Sequence, residues 1–235
     1  MENKTNCTVE KAIGKTVVIA GAGDALGQAL TDAFLKRGWD VFAGYPPDGP
    51  RRPQAERLTC FGFDPCDHAY TLAAKKKVGV PVDMLIVNID RTFGDPEASI
   101  SDPLDFDSLL AAYDYNCIGA LRAVNAFLPL LEEGRGKRIC VVTTARSSNN
   151  GCTGTTGYAE RLSRAPLNMA MTQLFNGLRP EGYTFRLYCR DVEGGNDAWA
   201  ADYFIRDRSY EPEDLKHSDE ERIVLRDWMA REIPW

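Results

Sequence analysis

Histidine is scarce in this chain of 235 residues, which contains only His68 and His217. The seven cysteines include no Cys-x-x-Cys pair, and their odd number does not suit a disulfide framework. Structural zinc sites usually combine cysteine and histidine ligands at short, regular spacings. The sequence therefore predicts no metal site, and it favours reduced, mostly buried thiols of the kind found in cytoplasmic proteins.

Long apolar runs are also absent, and so is an excess of positive charge. No segment reaches the ~20 apolar residues that a membrane-spanning helix needs. The first residues, "MENKTNCTVEKAIGK", lack the apolar core of a signal peptide. The formal net charge of −6 gives no electrostatic footprint for nucleic acid. We therefore expect a cytoplasmic protein that binds neither membranes nor nucleic acids.

The sequence does contain a regular alternation of short apolar strands and amphipathic helices. Strands are predicted at residues 15–20, 40–45, 58–63, 84–88, 138–144 and 184–189, and helices at 28–37, 68–77, 106–131 and 158–178. Strands that alternate with helices form βαβ units, and these build a parallel sheet with helices on both faces. The predicted fold is one α/β domain, 1–235, with a Rossmann-like doubly wound parallel sheet and an N-terminal tail at 1–14.

The segment 190–235 breaks this alternation. Its aromatic residues, Trp199, Tyr203, Phe204 and Tyr210, suit either a lid over a small ligand or packing against the sheet. An acidic amphipathic helix is predicted at about 219–231, with Ser218 as its N-cap. The last residues, "REIPW", could form a short final strand. We interpret 190–235 as a substrate loop followed by a helical C-terminal segment.

A glycine-rich turn, "AGAGDALG", joins the first strand to the first helix. Gly21 permits the tight turn, Gly23 lets backbone approach a phosphate, and Gly27 lets the helix pack closely on the strand. The helix then presents free N–H groups and its positive dipole end to a pyrophosphate. Within this turn Asp24, Ala25 and Leu26 complete the predicted nucleotide-binding loop.

The end of the second strand bears on the choice between NAD and NADP. An acidic residue that binds the ribose hydroxyls of NAD usually stands there, but this chain has Tyr45. Arg51 and Arg52 follow and could meet the 2′-phosphate of NADP, although they could also be two solvated arginines. The pattern favours NADP over NAD.

Taken together, these segments resemble the short-chain dehydrogenase/reductase family. "AGAGDALG" is similar to its TGxxxGxG loop, with Ala25 in place of the middle glycine, and "FDPCD" is similar to the segment whose aspartate, here Asp64, meets the adenine. "NCIGALRAVNAFLPLL" resembles the family's long helix with a catalytic asparagine at Asn116. "GKRICVVTT" resembles the strand that delivers a catalytic serine, here Thr144. Asn88 begins the counterpart of the family's Asn-Asn-Ala-Gly.

The resemblance implies a catalytic Tyr-x-x-x-Lys couple, and the chain offers two registers for it. In the first, Tyr158 is the acid–base residue, but Leu162 stands where lysine is usual. In the second, "SRAPLNM" is similar to the family's "SKAALNM", so Arg164 replaces lysine and Glu160 takes the tyrosine position. A helix distortion near Pro166 could bring Tyr158 and Arg164 together. The predicted catalytic set is Tyr158, Thr144, Asn116 and Arg164.

These residues imply an NAD(P)-dependent oxidoreductase acting on a small carbonyl or alcohol, a sugar being one candidate. Two alternatives stay open: a non-catalytic subunit or regulator of the same fold, and a non-redox isomerase or dehydratase in which Glu160, Asp90 or Arg190 carries the chemistry. Leu162 in place of lysine and Arg91 in place of the family's glycine favour the first of these alternatives, and Arg190-Asp191 in place of Pro-Gly is a further departure from the family pattern. The resemblance also implies a homodimer or homotetramer through the long helices.

Overall fold

The computed structural model describes residues 15–190, 197, 200–201, 221–227 and 231–235. Within them, eight strands form one sheet in the order β3-β2-β1-β4-β5-β6-β7-β8, and every neighbouring pair is parallel except β7 and β8. The strands are β1 (Thr16–Ala20), β2 (Asp40–Tyr45), β3 (Leu58–Gly62), β4 (Met84–Val87), β5 (Arg138–Thr143), β6 (Thr184–Cys189), β7 (Leu225–Arg226) and β8 (Glu232–Ile233).

Helices cover both faces of this sheet. They are α1 (Ala25–Lys36), α2 (His68–Val78), α3 (Phe106–Tyr113), α4 (Gly119–Glu133) and α5 (Tyr158–Leu178). Side chains of α1 pack with Val17 and Ile19 on one face, whereas α2, α4 and α5 pack with Val18 and Leu85 on the other. All five residues of β1 are buried, which explains its continuous apolar sequence.

The strand order reverses at β1, because β2 lies on one side of it and β4 on the other. A crevice opens at such a point, outside the carboxyl ends of the strands, and it is where open α/β sheets bind their ligands. The loops that follow β1, β4, β5 and β6 all begin at this edge. The fold thus brings the glycine-rich turn and the predicted catalytic residues to one place.

The structure confirms the predicted fold class and the first six strands, each within one residue of its predicted ends. The predicted helix at 106–131 is interrupted, because a π-helical turn at Asp114–Ile118 separates α3 from α4. Helix α5 runs continuously over Tyr158–Leu178 with Pro166 inside it.

The predicted acidic helix at 219–231 is wrong in its described part. Leu225 and Arg226 form β7, and Leu225 is completely buried where it pairs with Leu187 of β6. Pairing with β6 therefore determines the structure of this segment, although the spacing of its apolar residues favours a helix. The short strand expected in "REIPW" is present as β8, antiparallel to β7. Ser218 and the four aromatic residues Trp199, Tyr203, Phe204 and Tyr210 lie outside the described residues.

The described residues include neither a membrane-spanning helix nor a cluster of metal ligands. No helix among them has both the length and the apolar character needed to cross a bilayer. No group of three or more His, Cys, Asp or Glu residues among them is arranged to hold a metal ion. The six described cysteines are all free thiols.

Candidate functional site

The glycine-rich turn has the close backbone approaches that its sequence predicts. Gly21 has a φ of +101°, and a Cβ there would lie 2.0 Å from the carbonyl oxygen of Asn88. A Cβ at Gly27 would lie 2.4 Å from the carbonyl oxygen of Gly21. Neither position tolerates a side chain, so the turn stays tight and α1 begins directly over the end of β1. Gly23 is exposed beside Pro46.

Asp24 is the N-cap of α1 and links it to the neighbouring strands. Its Oδ1 accepts hydrogen bonds from the Gly27 N–H at 2.7 Å and from Asn88 Nδ2 at 2.8 Å. Its Oδ2 accepts from Arg190 Nη1 at 3.0 Å. The carboxylate therefore lies at the positive end of the helix, where the resemblance implies a phosphate. The N–H groups of Ala25 and Leu26 have no hydrogen-bond acceptor among the described residues.

Asn88 holds the turn from the end of β4. Its Nδ2 also donates to the Gly21 carbonyl at 2.9 Å, and its backbone N–H donates to Ala20. Its buried Oδ1 has no partner within the described residues. Unpaired buried acceptors are uncommon in proteins, so this oxygen is a group that a ligand could satisfy.

The predicted adenosine-side residues lie further along the same edge. Tyr45 ends β2 with only 2% of its surface exposed, and burial raises the pKa of its phenol. Asp64 is half-buried, and its Oδ1 accepts from the Cys66 N–H at 2.9 Å. Arg52 forms a two-point ion pair with Asp32 of α1, whereas Arg51 is exposed and donates to the Pro47 carbonyl at 2.7 Å.

Asn116 lies in the π-helical turn and is completely buried. Its Oδ1 accepts from the Arg91 N–H, and its Nδ2 donates to the Arg91 carbonyl and to Ser163 Oγ, each at 3.0 Å. These three bonds tie the loop after β4 to α5. The π turn widens the helix at this point, so the asparagine is positioned to reach both elements.

Arg164 of α5 is 1% exposed and stands in the position that the second register gives to lysine. One guanidinium nitrogen, Nη2, forms an ion pair with Asp90 from the loop after β4. Its Nε lies 3.9 Å from Glu160 Oε1, too far for a hydrogen bond. Nε and Nη1 therefore remain buried donors without a partner among the described residues. Such donors cost free energy unless a ligand or water accepts from them.

The two registers of the tyrosine motif lie on different faces of α5. Glu160 and Arg164 are one turn apart, and both contact charged groups of the cleft. Tyr158 instead lines a cavity with Arg161 and Leu162 on the opposite face. The structure thus brings together Arg164, Asn116 and Thr144 of the predicted set, with Glu160 beside them. The acid–base role of Tyr158 stays a prediction.

Thr144 follows β5 and is buried at the edge of the cleft. Its Oγ1 accepts from the Arg146 N–H at 3.2 Å, which leaves the hydroxyl hydrogen available to a ligand. The side chain of Arg146 then donates from Nη1 to Glu160 Oε2 at 2.5 Å. Arg146 therefore connects the two side chains, a role that the sequence alone did not indicate.

A continuous chain of charges crosses the cleft, running from Arg146 through Glu160, Arg164, Asp90 and Arg190 to Asp24. Burial alone lowers the pKa of the Arg190 guanidinium, but the carboxylates of Asp24 and Asp90 outweigh it, and the pKa is raised. Three arginines thus alternate with three carboxylates, and the network carries no net charge.

The similarity to known proteins identifies the family. No protein-family model matches this sequence. C-signal of Myxococcus xanthus is 31% identical over 160 residues, which cover 66% of this chain and 93% of that protein. The chain belongs to the short-chain dehydrogenase/reductase family.

A second relative is similar in sequence, and a solved structure shares the fold. The 1-hydroxy-2-glutathionyl-2-methyl-3-butene dehydrogenase of Rhodococcus sp. (strain AD45) is 27% identical over 175 residues, which cover 73% of this chain and 75% of that protein. The crystal structure of NADPH-bound carbonyl reductase from chicken fatty liver superposes with a TM-score of 0.75 at 18% identity, covering 94% of this chain and 99% of that one.

Proposed function

We propose that this short-chain dehydrogenase/reductase binds a nicotinamide dinucleotide in the cleft and transfers hydride to or from a small carbonyl or alcohol. The observation that carries the proposal is the buried guanidinium of Arg164, whose Nε and Nη1 lack partners among the described residues. The ribose hydroxyls of a dinucleotide are acceptors of the kind that these donors need. Among relatives, one is named as a dehydrogenase and one structural neighbour is an NADPH-bound carbonyl reductase.

The side chains and backbone of the cleft fit such a cofactor, except for one carboxylate that would repel its phosphates. The tight turn at Gly21 and Gly27 starts α1 directly after β1, and the N–H groups of Ala25 and Leu26 are available to a pyrophosphate. The Asp24 carboxylate opposes a phosphate, but Arg190 neutralises it at 3.0 Å. The cleft therefore suits a dinucleotide once Arg190 shares its charge between carboxylate and phosphate.

NADP is the form that we propose. An acidic residue at the end of β2 would repel a 2′-phosphate, and Tyr45 stands there instead. Arg51 is exposed nearby and has no ion-pair partner within the described part of the chain. Arg52 already pairs with Asp32, so Arg51 is the side chain that we assign to the 2′-phosphate.

Thr144 and Glu160 are the side chains that we assign to the reacting oxygen. A bound nicotinamide would supply or accept the hydride. The Thr144 hydroxyl would donate a hydrogen bond to the substrate oxygen, and the Glu160 carboxylate would accept the proton that an alcohol loses on oxidation. Arg146 and Arg164 flank this carboxylate at 2.5 Å and 3.9 Å and would hold it in place.

A second candidate is a non-catalytic member of the family. It is favoured by the position of Tyr158, which faces away from Arg164, and by the charge network that spans the cleft. One relative is named C-signal, a name that states no reaction. This candidate is compatible with dinucleotide binding but excludes turnover by the purified chain.

Turnover separates the two candidates. The purified protein would be mixed with NADPH and a panel of small aldehydes and ketones, and with NADP⁺ and the matching alcohols, while nicotinamide absorbance is followed. Loss of turnover in Glu160→Gln with retention in Tyr158→Phe supports our assignment. The opposite pattern restores Tyr158 as the acid–base residue, and no turnover in either direction supports the non-catalytic candidate.

A second copy of the chain is the partner that we propose. Helix α3 exposes Phe106 and Leu110, and α5 exposes Met169, each more than half accessible to solvent. Helices α3 and α5 are packed against each other, so these apolar side chains belong to adjoining surfaces. Covering them in a homodimer would remove apolar area from water. A cytoplasmic location, which suits the free thiols, is part of the same proposal.

A further inference from the structure

A second cavity lies on the face of α5 that points away from the cofactor cleft. Steps of three and four residues along the helix align Tyr158, Arg161, Leu162 and Ala165 on this face, and the loop after β5 closes the other side. The cavity has a volume of about 230 Å³. It is smaller than the ~300–1,000 Å³ that holds a drug-sized ligand, so it suits a small molecule. We call it the outer pocket.

The lining of the outer pocket is positively charged. Arg146 and Arg161 contribute two guanidinium groups, and the lining residues that the structure describes include no aspartate or glutamate. Nη1 of Arg146 donates a hydrogen bond to Glu160, which lies outside the pocket. Arg161 has no carboxylate partner among the described residues, so its charge is available to a ligand.

Arg161 is held in a fixed position. Its Nε donates to the Thr156 carbonyl at 3.1 Å, and its Nη1 donates to Cys152 Sγ at 3.4 Å. Its Nη2 lies against Gly154, where a Cβ would be only 2.3 Å away. The loop therefore orients the guanidinium without neutralising it, which is the arrangement that recognises a carboxylate.

The opposite wall is apolar. Leu162 is 55% exposed and Ala165 is partly exposed, although both lie on a helix with a well-packed inner face. Tyr158 adds an aromatic ring and a phenol hydroxyl. A ligand with a carboxylate at one end and a small apolar body at the other would complement both walls.

We propose that the outer pocket binds a small organic carboxylate, with its charge on Arg161 and its apolar body against Leu162 and Tyr158. The outer pocket is separate from the dinucleotide cleft, because Glu160 and Arg164 face the cleft from the other side of the helix, although the two sites share the side chain of Arg146. Binding here does not require the proposed oxidoreductase activity. A failure of one proposal therefore leaves the other standing.

Calorimetric titration of the full chain with benzoate tests this proposal, with benzyl alcohol as the uncharged isostere and inorganic phosphate as the anion without an apolar body. We expect benzoate alone to bind saturably, and Arg161→Gln to weaken it about tenfold or more. Arg135→Gln, which removes an exposed charge at the end of α4, should leave the affinity unchanged. Gly154→Ala is a second variant, because its methyl group would displace the Arg161 guanidinium.

The remaining outcomes overturn the proposal. A dissociation constant for benzoate weaker than about 10 mM would mean that the pocket selects no small carboxylate. If phosphate or benzyl alcohol bound as tightly as benzoate, the pocket would not be selective for a small organic carboxylate. If Arg135→Gln weakened benzoate binding as much as Arg161→Gln, the loss of affinity would reflect the overall charge of the protein and not the outer pocket. If Arg161→Gln unfolds, unchanged benzoate affinity in folded Gly154→Ala contradicts the assigned role of Arg161.

Discussion

Arg190 Nη1 lies 3.0 Å from Asp24 Oδ2, although 166 positions separate the two residues in the chain. Arg190 follows β6, and Asp24 caps α1 directly after β1, so this ion pair spans the point where the strand order reverses. The same nitrogen lies 3.4 Å from Asp90 Oδ2. The Asp24 carboxylate thus occupies the helix N-terminus, a position that suits a phosphate, and Arg190 neutralises the charge of this carboxylate.

The first prediction concerns the Asp24 charge. Asp24→Asn keeps an N-cap side chain but removes a negative charge from the site of the proposed pyrophosphate. We expect NADPH to bind about fivefold more tightly, because the repulsion removed is on the order of 1 kcal/mol for partly exposed charges. Loss of the favourable helix-dipole interaction should lower the free energy of unfolding by no more than about 1 kcal/mol.

The control for this variant removes the same charge elsewhere. Glu133 is exposed at the end of α4, so Glu133→Gln should leave NADPH affinity unchanged. Calorimetric titration of both variants with NADPH measures the difference. Weaker binding in Asp24→Asn would mean that the carboxylate orients the turn for the cofactor instead of opposing it.

The second prediction concerns the unpartnered donors of Arg164. Arg164→Met removes them, and we expect NADPH binding to weaken at least about tenfold, the usual loss for a charge-assisted hydrogen bond. Arg164→Lys retains a donor and a positive charge but not the paired N–H groups of the guanidinium, so its affinity should lie between those of the wild type and Arg164→Met. Urea unfolding of both variants shows whether they remain folded. Equal affinity in all three proteins would remove Arg164 from the cofactor site.

The third prediction is a pH dependence at the π-helical turn. The hydrogen bond from Arg122 Nη2, at 2.7 Å, holds the pKa of Asp114 below its usual range. The pair therefore stabilises the fold above the ordinary aspartate pKa of about 3.9, and this contribution is lost as the pH falls through the folded-state pKa. Because the Asp114 side chain is 42% exposed, we expect less than about 1 kcal/mol.

Urea unfolding of Asp114→Asn, Arg122→Gln and the double variant isolates this pair. The coupling free energy should be positive at pH 7 and should decline as the pH is lowered below about 3.9, the ordinary aspartate pKa. A coupling that persists unchanged in acid would show that packing, and not ionisation, joins the two residues.

The fourth prediction tests the exposed apolar surface of α3 and α5. Leu110 is 67% exposed, and Leu110→Glu would place a charge in the proposed homodimer interface. We expect sedimentation to show a shift from dimer to monomer. Val80→Glu changes an exposed apolar residue after α2, remote from this surface, and should leave the dimer intact. A wild-type protein that is monomeric at micromolar concentration would contradict the proposal.

Local patterns predicted the elements of the fold, because each depends on neighbouring residues. Residues 16–27 are an example, because this one short segment contains the apolar run of the strand, the glycines of the turn and the start of the helix. The prediction of a helix at 219–231 was wrong because the structure there depends on a contact with residues that are distant in the chain. Leu225 is buried through its pairing with Leu187, a contact that no local periodicity contains.

The same distinction applies to the site. Asn116, Thr144 and Arg164 were identified by motif position, and the fold brings them to one cleft. Two registers remained open for α5, and long-range contacts now distinguish their faces: Asn116 bonds to Ser163, and Asp90 pairs with Arg164 from 74 positions away. The link from Thr144 through Arg146 to Glu160 also needed three-dimensional positions.

Titration of the purified protein with NADPH and NADH, followed by energy transfer from tryptophan to bound nicotinamide, tests the central claim most directly. The claim is that the cleft between the glycine-rich turn and Arg164 binds a dinucleotide. We expect saturable binding of NADPH in the micromolar range, weaker binding of NADH, and loss of NADPH binding in Arg164→Met. Absence of saturable binding for both nucleotides at millimolar concentration would contradict the claim.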